Sequence, residues 1–284
     1  MGYDIDQNSL FKLIENFSAE LFSSYKVRPK IGAEVEFYLP GAETEIQKAL
    51  QALGKQGVII ENEKGKNQYE CVLEYSGDLP QLSAQINNLR DLIQAIASQY
   101  SLKAIFDAKP FADDYGSALH LHLSLHDAND NNIYATGSIG DNSFMQRSIA
   151  GILELTAEGI YIICNTDQDY LRYCAQFMAP TKLSWGGNNR TTVIRIPDSK
   201  PAHRRIEYRV APAHCDPMRL IFLMLLGVYH GLQNQLLPPP RIYGNAFDEQ
   251  YLLEELPANS LEAKNIFHNR GNIAKYIHEA FQES

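Results

Sequence analysis

The sequence has no apolar run long enough to cross a bilayer: the longest, from Leu220 to Tyr229, falls well short of the ~18 residues required. It also lacks the basic start and apolar stretch of a secretory leader, opening instead on Met1-Gly2-Tyr3-Asp4-Ile5-Asp6. Cysteine is scarce. Cys71, Cys164, Cys174 and Cys215 are the only four, and they show no CxxC or other metal-binding spacing. These absences predict a cytoplasmic protein, no membrane partner, and reduced, mostly buried thiols without a chemical role. Positive charge is in deficit, with 25 Lys and Arg against 34 Asp and Glu, a net charge of -9. A nucleic-acid binder would carry the opposite balance. Internal repeats, low-complexity tracts and Gly- or Ser-rich linkers are missing too, so residues 1–284 read as a single domain. With 45% hydrophobic residues, that domain can build a real core.

What is present is a mixture of helical and strand patterns without strict alternation, which predicts an α+β fold rather than a doubly wound parallel sheet. Residues 7–25 carry Leu10, Phe11, Leu13, Ile14, Phe17, Leu21 and Phe22 at the spacing of an amphipathic helix, giving an N-terminal helix within residues 1–28. Strands are expected over 31–39, 68–75, 104–106, 118–125, 191–197 and 205–210, and a polar turn over 61–66. Helices are expected over 42–53, from Asp78 to about Tyr100, over 143–164, and over 213–236, the last nearly all apolar and therefore buried. Asp78-Leu79-Pro80 is a helix start, and Pro238-Pro239-Pro240 a helix stop. Residues 245–284 form a tail holding two or three short helices. Tyr161, Tyr170 and Tyr173 are read as packing residues before substrate-lining ones.

Four local patterns carry chemistry. In Gly32-Ala33-Glu34-Val35-Glu36-Phe37, Glu34 and Glu36 share one strand face. Two such carboxylates repel unless a cation lies between them, although a solvated face is the plainer reading. Glu63 and Glu70 bracket a turn and short strand, and alone would pass for surface acids. His120, His122 and Ser124 alternate with leucines behind Gly116, a polar face suited to a ligand or phosphate, with no third nitrogen or sulfur at a zinc spacing. Arg190, Arg195, Arg204, Arg205 and Arg209 cluster around Glu207. This is either an ion-pair ladder or a set of phosphate-binding guanidiniums beside a metal-binding carboxylate.

Taken in order, these patterns resemble the catalytic domain of glutamine synthetase. The resemblance rests on Gly32-x-Glu34-x-Glu36-Phe37, on Glu63 to Glu70, on Lys109-Pro110-Phe111, and on Gly116-Ser117 with His120-x-His122-x-Ser124. It continues through Asn189-Arg190, Ile194-Arg195-Ile196-Pro197, Arg205-x-Glu207-x-Arg209, Asp216-Pro217 and Leu256-Pro257-x-x-Ser260-Leu261. Each motif alone is weak; their collinearity from about residue 30 onward is what is specific. The resemblance implies a mostly antiparallel, curved sheet packed by helices, a fold shared with guanidino kinases. It implies ATP and two or more Mg2+ or Mn2+ ions as cofactors. One ion would be held by Glu36, Glu63 and Glu70, and a second by Glu34, His120 and Glu207. His122 and Ser124 would lie by the nucleotide, and Arg190, Arg195 and Arg205 by its phosphates. Gly116, Arg172 and Arg209 would contact the amino-acid substrate, with Arg172, Arg190 and Arg209 in the catalytic step. The implied reaction activates glutamate, or a related carboxylate, as an acyl phosphate for attack by ammonia or another amine.

Three departures from the family pattern stand out. There is no room before the acidic strand for the family's β-grasp domain, which supplies an ammonium-binding aspartate and joins neighbours in a ring. A monomer or small homo-oligomer, not a dodecamer, is therefore expected. The family flap, Arg-x-x-Pro-Gly-x-Glu-Ala-Pro, reads Arg172-Tyr173-Cys174-Ala175-Gln176-Phe177-Met178-Ala179-Pro180, with Met178 in place of the base that deprotonates ammonium. Tyr115 replaces an asparagine in the substrate loop. The groups lost serve ammonium and those retained serve metal and phosphate, so an amine other than ammonia is the expected acceptor. A phosphotransferase of guanidino-kinase type and a weakly catalytic nucleotide- and metal-binding sensor are the alternatives.

Overall fold

The computed structural model describes residues 5–282. Residues 1–4, the start of the segment read above for a leader, and residues 283–284 at the end of the expected domain lie outside the described residues. In chain order the elements are α1 (Gln7–Tyr25), β1 (Arg28–Tyr38), α2 (Glu43–Lys55), β2 (Ile59–Asn62), β3 (Gln68–Ser76), α3 (Leu79–Gln99), β4 (Ala118–His126) and α4 (Ser143–Ile163). They continue with α5 (Asp167–Tyr170), β5 (Trp185–Gly186), β6 (Ile194–Arg195), β7 (Ile206–Pro212), α6 (Pro217–Gln233), α7 (Ser260–Arg270) and α8 (Asn272–Gln282). No helix among the described residues is long and apolar enough to cross a membrane.

The strands form one sheet in the order β2-β3-β1-β4-β7-β6-β5, antiparallel throughout except for the short β5–β6 pair. This is the α+β, mostly antiparallel architecture expected. Alternation along β1 and β4 divides the sheet into two chemistries. Ile31, Ala33 and Val35 with Leu119, Leu121, Leu123 and Leu125 turn to a core built largely on α4 and α6. The intervening residues of the same strands carry the charged groups described below.

Helix α6 runs from Pro217 to Gln233 rather than over 213–236. Asp216 caps it, its carboxylate accepting from the Met218 N–H at 2.9 Å, and Pro217 occupies the first turn, where no N–H is needed. Ala213 still belongs to the turn leaving β7. Two expected strands shrink: 104–106 contributes only an isolated bridge between Ile105 and Tyr38, and 191–197 only Ile194–Arg195. The expected turn over 61–66 begins inside an unforeseen edge strand, β2, whose residues are mostly exposed. Among the described residues of the 245–284 tail the helices are α7 and α8. Helix α8 is anchored by Glu158 of α4, whose buried carboxylate accepts from Asn272 Nδ2 at 2.7 Å and the Ile273 N–H at 3.1 Å.

The α4–α6 crossing is close because glycines face it. A Cβ on Gly151 would run into the Gly227 carbonyl oxygen, and one on Gly231 into the Arg147 carbonyl oxygen. Tyr161 and Tyr170 are buried as packing residues, and the Tyr173 hydroxyl donates to the Val210 carbonyl at 2.9 Å. Cys71, Cys164 and Cys215 are buried as well.

Candidate active site

The polar face of the sheet is assembled by register. Glu34 of β1 lies opposite His120 of β4, and Glu36 opposite Glu70 of β3. His122 lies opposite Glu207 of β7, and Glu207 opposite Arg195 of β6. Three strands thus bring four acids together around the β4 histidines, and Glu63 joins as a fifth from the turn between β2 and β3. The ligand atoms of Glu36, Glu63 and Glu70 lie within 4.8 Å of one another, as do those of Glu34, Glu70 and His120 and those of Glu34, His122 and Glu207. The first trio is the grouping expected for one ion. For the second, His120 Nδ1 stands 3.5 Å from Glu34 and 3.8 Å from Glu207, but His122 also reaches that pair.

The electrostatics of this face are unbalanced. Glu36 is pushed up to about 8 by burial and then by the charge of Glu63. Glu70 is pushed up to about 10 by burial and then by Glu34 and the acids around it. Glu34 goes the other way: burial raises it, but His120 and His122 outweigh burial and hold it far below the usual carboxylate range. His120 is depressed to about 4 by burial and by Arg209. Its Nδ1 and the Nε2 of His122 are buried without a hydrogen-bond partner, the latter 2.9 Å from a Glu34 oxygen without the alignment of a hydrogen bond. Clustered carboxylates that burial would keep protonated, with two orphaned imidazole nitrogens aimed among them, fit divalent cations. Their mostly oxygen donor set suits Mg2+ or Mn2+.

Glu207 is occupied differently. Its two oxygens accept from Arg195 Nη1 at 2.6 Å and from Arg209 Nη1, and despite full burial these guanidiniums help hold it down at about 2. The arginines predicted for phosphate do not form one group. Arg205 lies with His122 and Ser124 on a cavity of ≈ 490 Å³, its Nε donating to His122 Nδ1 at 3.2 Å. Arg190 lies on a second, much smaller cavity of ≈ 50 Å³, together with Gly116, Arg172 and Arg209. Arg195 sits on Glu207. Arg204 braces the loop after β4 through the Tyr134 and Gly137 carbonyls. Arg172 is buried and donates to the Arg209 and Val210 carbonyls at 3.2 and 2.8 Å, so it supports the backbone of β7 from within the smaller cavity.

That cavity is roofed by the flap. Phe177 ends a short 3-10 turn, and Met178 follows with φ 60, the left-handed conformation that turns the chain back over the site. Tyr115 meets the Phe177 ring edge-on at 5.5 Å, and Lys109 Nζ lies 3.5 Å over the same ring. The space beside Met178 is thus roofed by aromatic side chains. Beneath, Gln68 ties the floor together, accepting from the Gly65 N–H and donating to the Gly116 carbonyl, each at 2.9 Å. Gly116 is squeezed against Ala108 and Arg172; a Cβ there would meet the Ala108 carbonyl at 2.7 Å. Phe177 and Gln68 had no assigned role in the sequence reading. Gln68 had a visible signal in its place between Glu63 and Glu70, while Phe177 had none beyond adjacency to Met178.

Residues 40–284 match the family described as glutamine synthetase, catalytic domain. The chain belongs to the glutamine synthetase family. Among curated relatives, the gamma-glutamylputrescine synthetase PuuA of Escherichia coli (strain K12) is 27% identical over 82% of this chain and 48% of its own length. The glutamate–isopropylamine ligase of a Pseudomonas species is 32% identical over 74% of this chain and 47% of its own. The chain therefore spans about half the length of the curated relatives it matches. A solved complex of GmaS with ADP superposes with a TM-score of 0.79 at 20% identity, covering 96% of this chain and 70% of that one. This likeness establishes the fold as that of the glutamine synthetase family.

Proposed function

We propose that this member of the glutamine synthetase family is an ATP- and divalent-metal-dependent ligase joining the side-chain carboxylate of glutamate, or a close analogue, to an amine other than ammonia. The observation that carries the reading is the juxtaposition, on one sheet face, of the Glu34–Glu36–Glu63–Glu70 cluster and its orphaned histidines with phosphate-type arginines, Arg205 and Arg190, at its two ends. The nucleotide would occupy the larger cavity beside His122, Ser124 and Arg205, and the amino acid the smaller one beside Gly116, Arg172 and Arg209.

The chemistry is a two-step exchange. A carboxylate oxygen of glutamate attacks the terminal phosphorus of ATP, the bond to ADP breaks, and an acyl phosphate results. The amine nitrogen then forms a bond to the acyl carbon, phosphate leaves with its electron pair, and the nitrogen sheds one proton. Divalent ions held by Glu36, Glu63 and Glu70 and by Glu34, a histidine and Glu207 would offset charge on the phosphoryl group. Arg190, at the mouth of the smaller cavity, would stabilise that group as it moves. Arg195 and Arg209 fix the Glu207 carboxylate.

Met178 supports an acceptor other than ammonia. With Tyr115 and Phe177 it lines the smaller cavity with apolar surface, which suits the hydrocarbon body of an alkyl amine and offers nothing to a bare ammonium ion. The curated relatives named above for putrescine and isopropylamine join alkyl amines. The test is ADP release with Mg2+ or Mn2+, ATP and glutamate across a panel of amines. Stimulation by an alkyl amine well above that by ammonia is expected; ADP release that no amine stimulates, or a stable phosphorylated product without any amine, would sink the ligase reading.

A further inference from the structure

The roof of the smaller cavity also bears on which amine is used, and this step rests on the ligase reading. We infer that the acceptor is a small apolar monoamine and that diamines are selected against by Lys109 acting through Phe177.

The side chains that meet at the roof are Tyr115, Phe177 and Met178. All three offer apolar surface to the body of an acceptor. Charge comes from elsewhere: Lys64, Arg172, Arg190 and Arg209 line the cavity against only Glu36 and Glu63. The two glutamates belong to the cation cluster, so with metal bound their charge is offset there. Lys109 adds a further cation, its ammonium stacked 3.5 Å over the Phe177 ring while donating to the Asp114 carbonyl. Asp113 and Asp114 are near enough to act on Lys109. The Asp114 carboxylate, however, accepts from the Lys66 and Tyr115 N–H groups at 2.9 and 2.8 Å and forms no ion pair with the lysine. The quadrupole of the Phe177 ring is thus already engaged by one cation on the face that Lys109 covers. A second ammonium carried at the far end of a diamine would approach an aromatic group whose cation-binding capacity is used and whose occupant repels it. An alkyl tail meets no such penalty.

A pair of amines of equal length isolates the effect: n-butylamine and putrescine. A unit charge brought to about 6–8 Å of another at an effective dielectric near 20 predicts roughly 30- to 100-fold lower kcat/KM for putrescine. Lys109→Met should narrow that gap several-fold, chiefly by raising kcat/KM for putrescine. Lys109→Gln should do the same and guards against a defect peculiar to methionine, with circular dichroism and melting confirming that each variant is folded. Putrescine used as well as or better than n-butylamine by the native protein would overturn the inference while leaving the ligase reading intact. So would an unchanged ratio in both folded variants. Failure of every amine to stimulate ADP release would instead remove the ligase reading, and this inference with it.

Discussion

Binding of Mg2+ or Mn2+ to this protein should expel protons, and the amount follows from the acid cluster. Glutamate in an unfolded chain ionises near 4.3. In the folded protein, burial and neighbouring acids push Glu36 up to about 8 and Glu70 up to about 10. At pH 7 both side chains are therefore mostly protonated when no cation is present, and a cation must displace those protons to gain its ligands. Between one and two protons should leave per chain on saturation, about 0.9 from Glu36 and nearly one from Glu70 if each titrates independently. Isothermal titration of the metal in two buffers of different ionisation heat reads that number directly. Apparent affinity should rise about tenfold per pH unit for each proton displaced as pH goes from 6 to 8. The same shifts govern the metal-free protein. A carboxyl whose folded value is raised holds its proton in the folded state after the unfolded chain has lost it. Stability is thus highest below about pH 4.3 in this contribution, and falls by about 1.4 kcal/mol per pH unit per group until the folded value is reached. Glu70→Gln should accordingly weaken metal binding yet raise the melting temperature of the metal-free protein at pH 8. Metal binding that releases less than about half a proton per chain, with no pH dependence of affinity, would refute the protonated state of Glu36 and Glu70; no metal binding at all would refute the assignment of this cluster to a cation.

Other expectations follow from single contacts. Gly231→Ala should cost about 1–3 kcal/mol or more, because its Cβ meets the Arg147 carbonyl across the α4–α6 crossing; a thermal melt reads this as a fall of several degrees. Glu158→Ala removes the acceptor for Asn272 and Ile273 and should free α8, giving faster amide exchange there and a loss of about 1–3 kcal/mol. Glu207→Ala leaves the Arg209 guanidinium buried without its partner and should cost about 3–5 kcal/mol, so its activity has to be read at a temperature where circular dichroism confirms folding. Arg190→Ala should lower kcat about 10²- to 10³-fold with the melting temperature unchanged, since its guanidinium braces no other group among the described contacts.

The fold was legible wherever the signal was local. Helix α3 begins at the expected Asp78 cap, which accepts from the Gln81 N–H at 3.0 Å, because a capping side chain and a proline in the first turn act within four residues. Strand β4 and its two-sided chemistry followed from alternation alone. The failures are long-range or marginal. Strand β2 is short and mostly exposed, and exists only because β3 offers it an edge. The expected strand at 191–197 is reduced because the Thr191 and Thr192 hydroxyls bond to Asn189 and turn the chain before Ile194. Site residues were nameable by type and spacing, but their grouping was not. That His122 shares Glu34 with His120 depends on β1–β4 register, and that Arg172 turns to the β7 carbonyls depends on where the flap lands.

Register also explains why such a site needs the rest of the fold. Glu36 directly opposite Glu70 is a pairing that costs a sheet stability, and a one-residue slip of β1 would relieve it. The slip is blocked from the other face. It would swing Ile31, Ala33 and Val35 out of the core and expose Glu34 and Glu36 to the apolar side chains of α4 and α6. Between Ile31 and Ala33 the register shifts because two β3 residues, Glu74 and Tyr75, oppose Gly32; the extra residue is on β3, so β1 keeps its alternation and both carboxylates stay on the polar face. A large apolar core therefore holds like charges at a spacing they would not adopt by themselves, and a cation that binds there gains affinity from repulsion already imposed. Stability of the metal-free sheet and affinity for metal are in this way opposite readings of one arrangement, which is why Glu70→Gln is expected to move them in opposite directions.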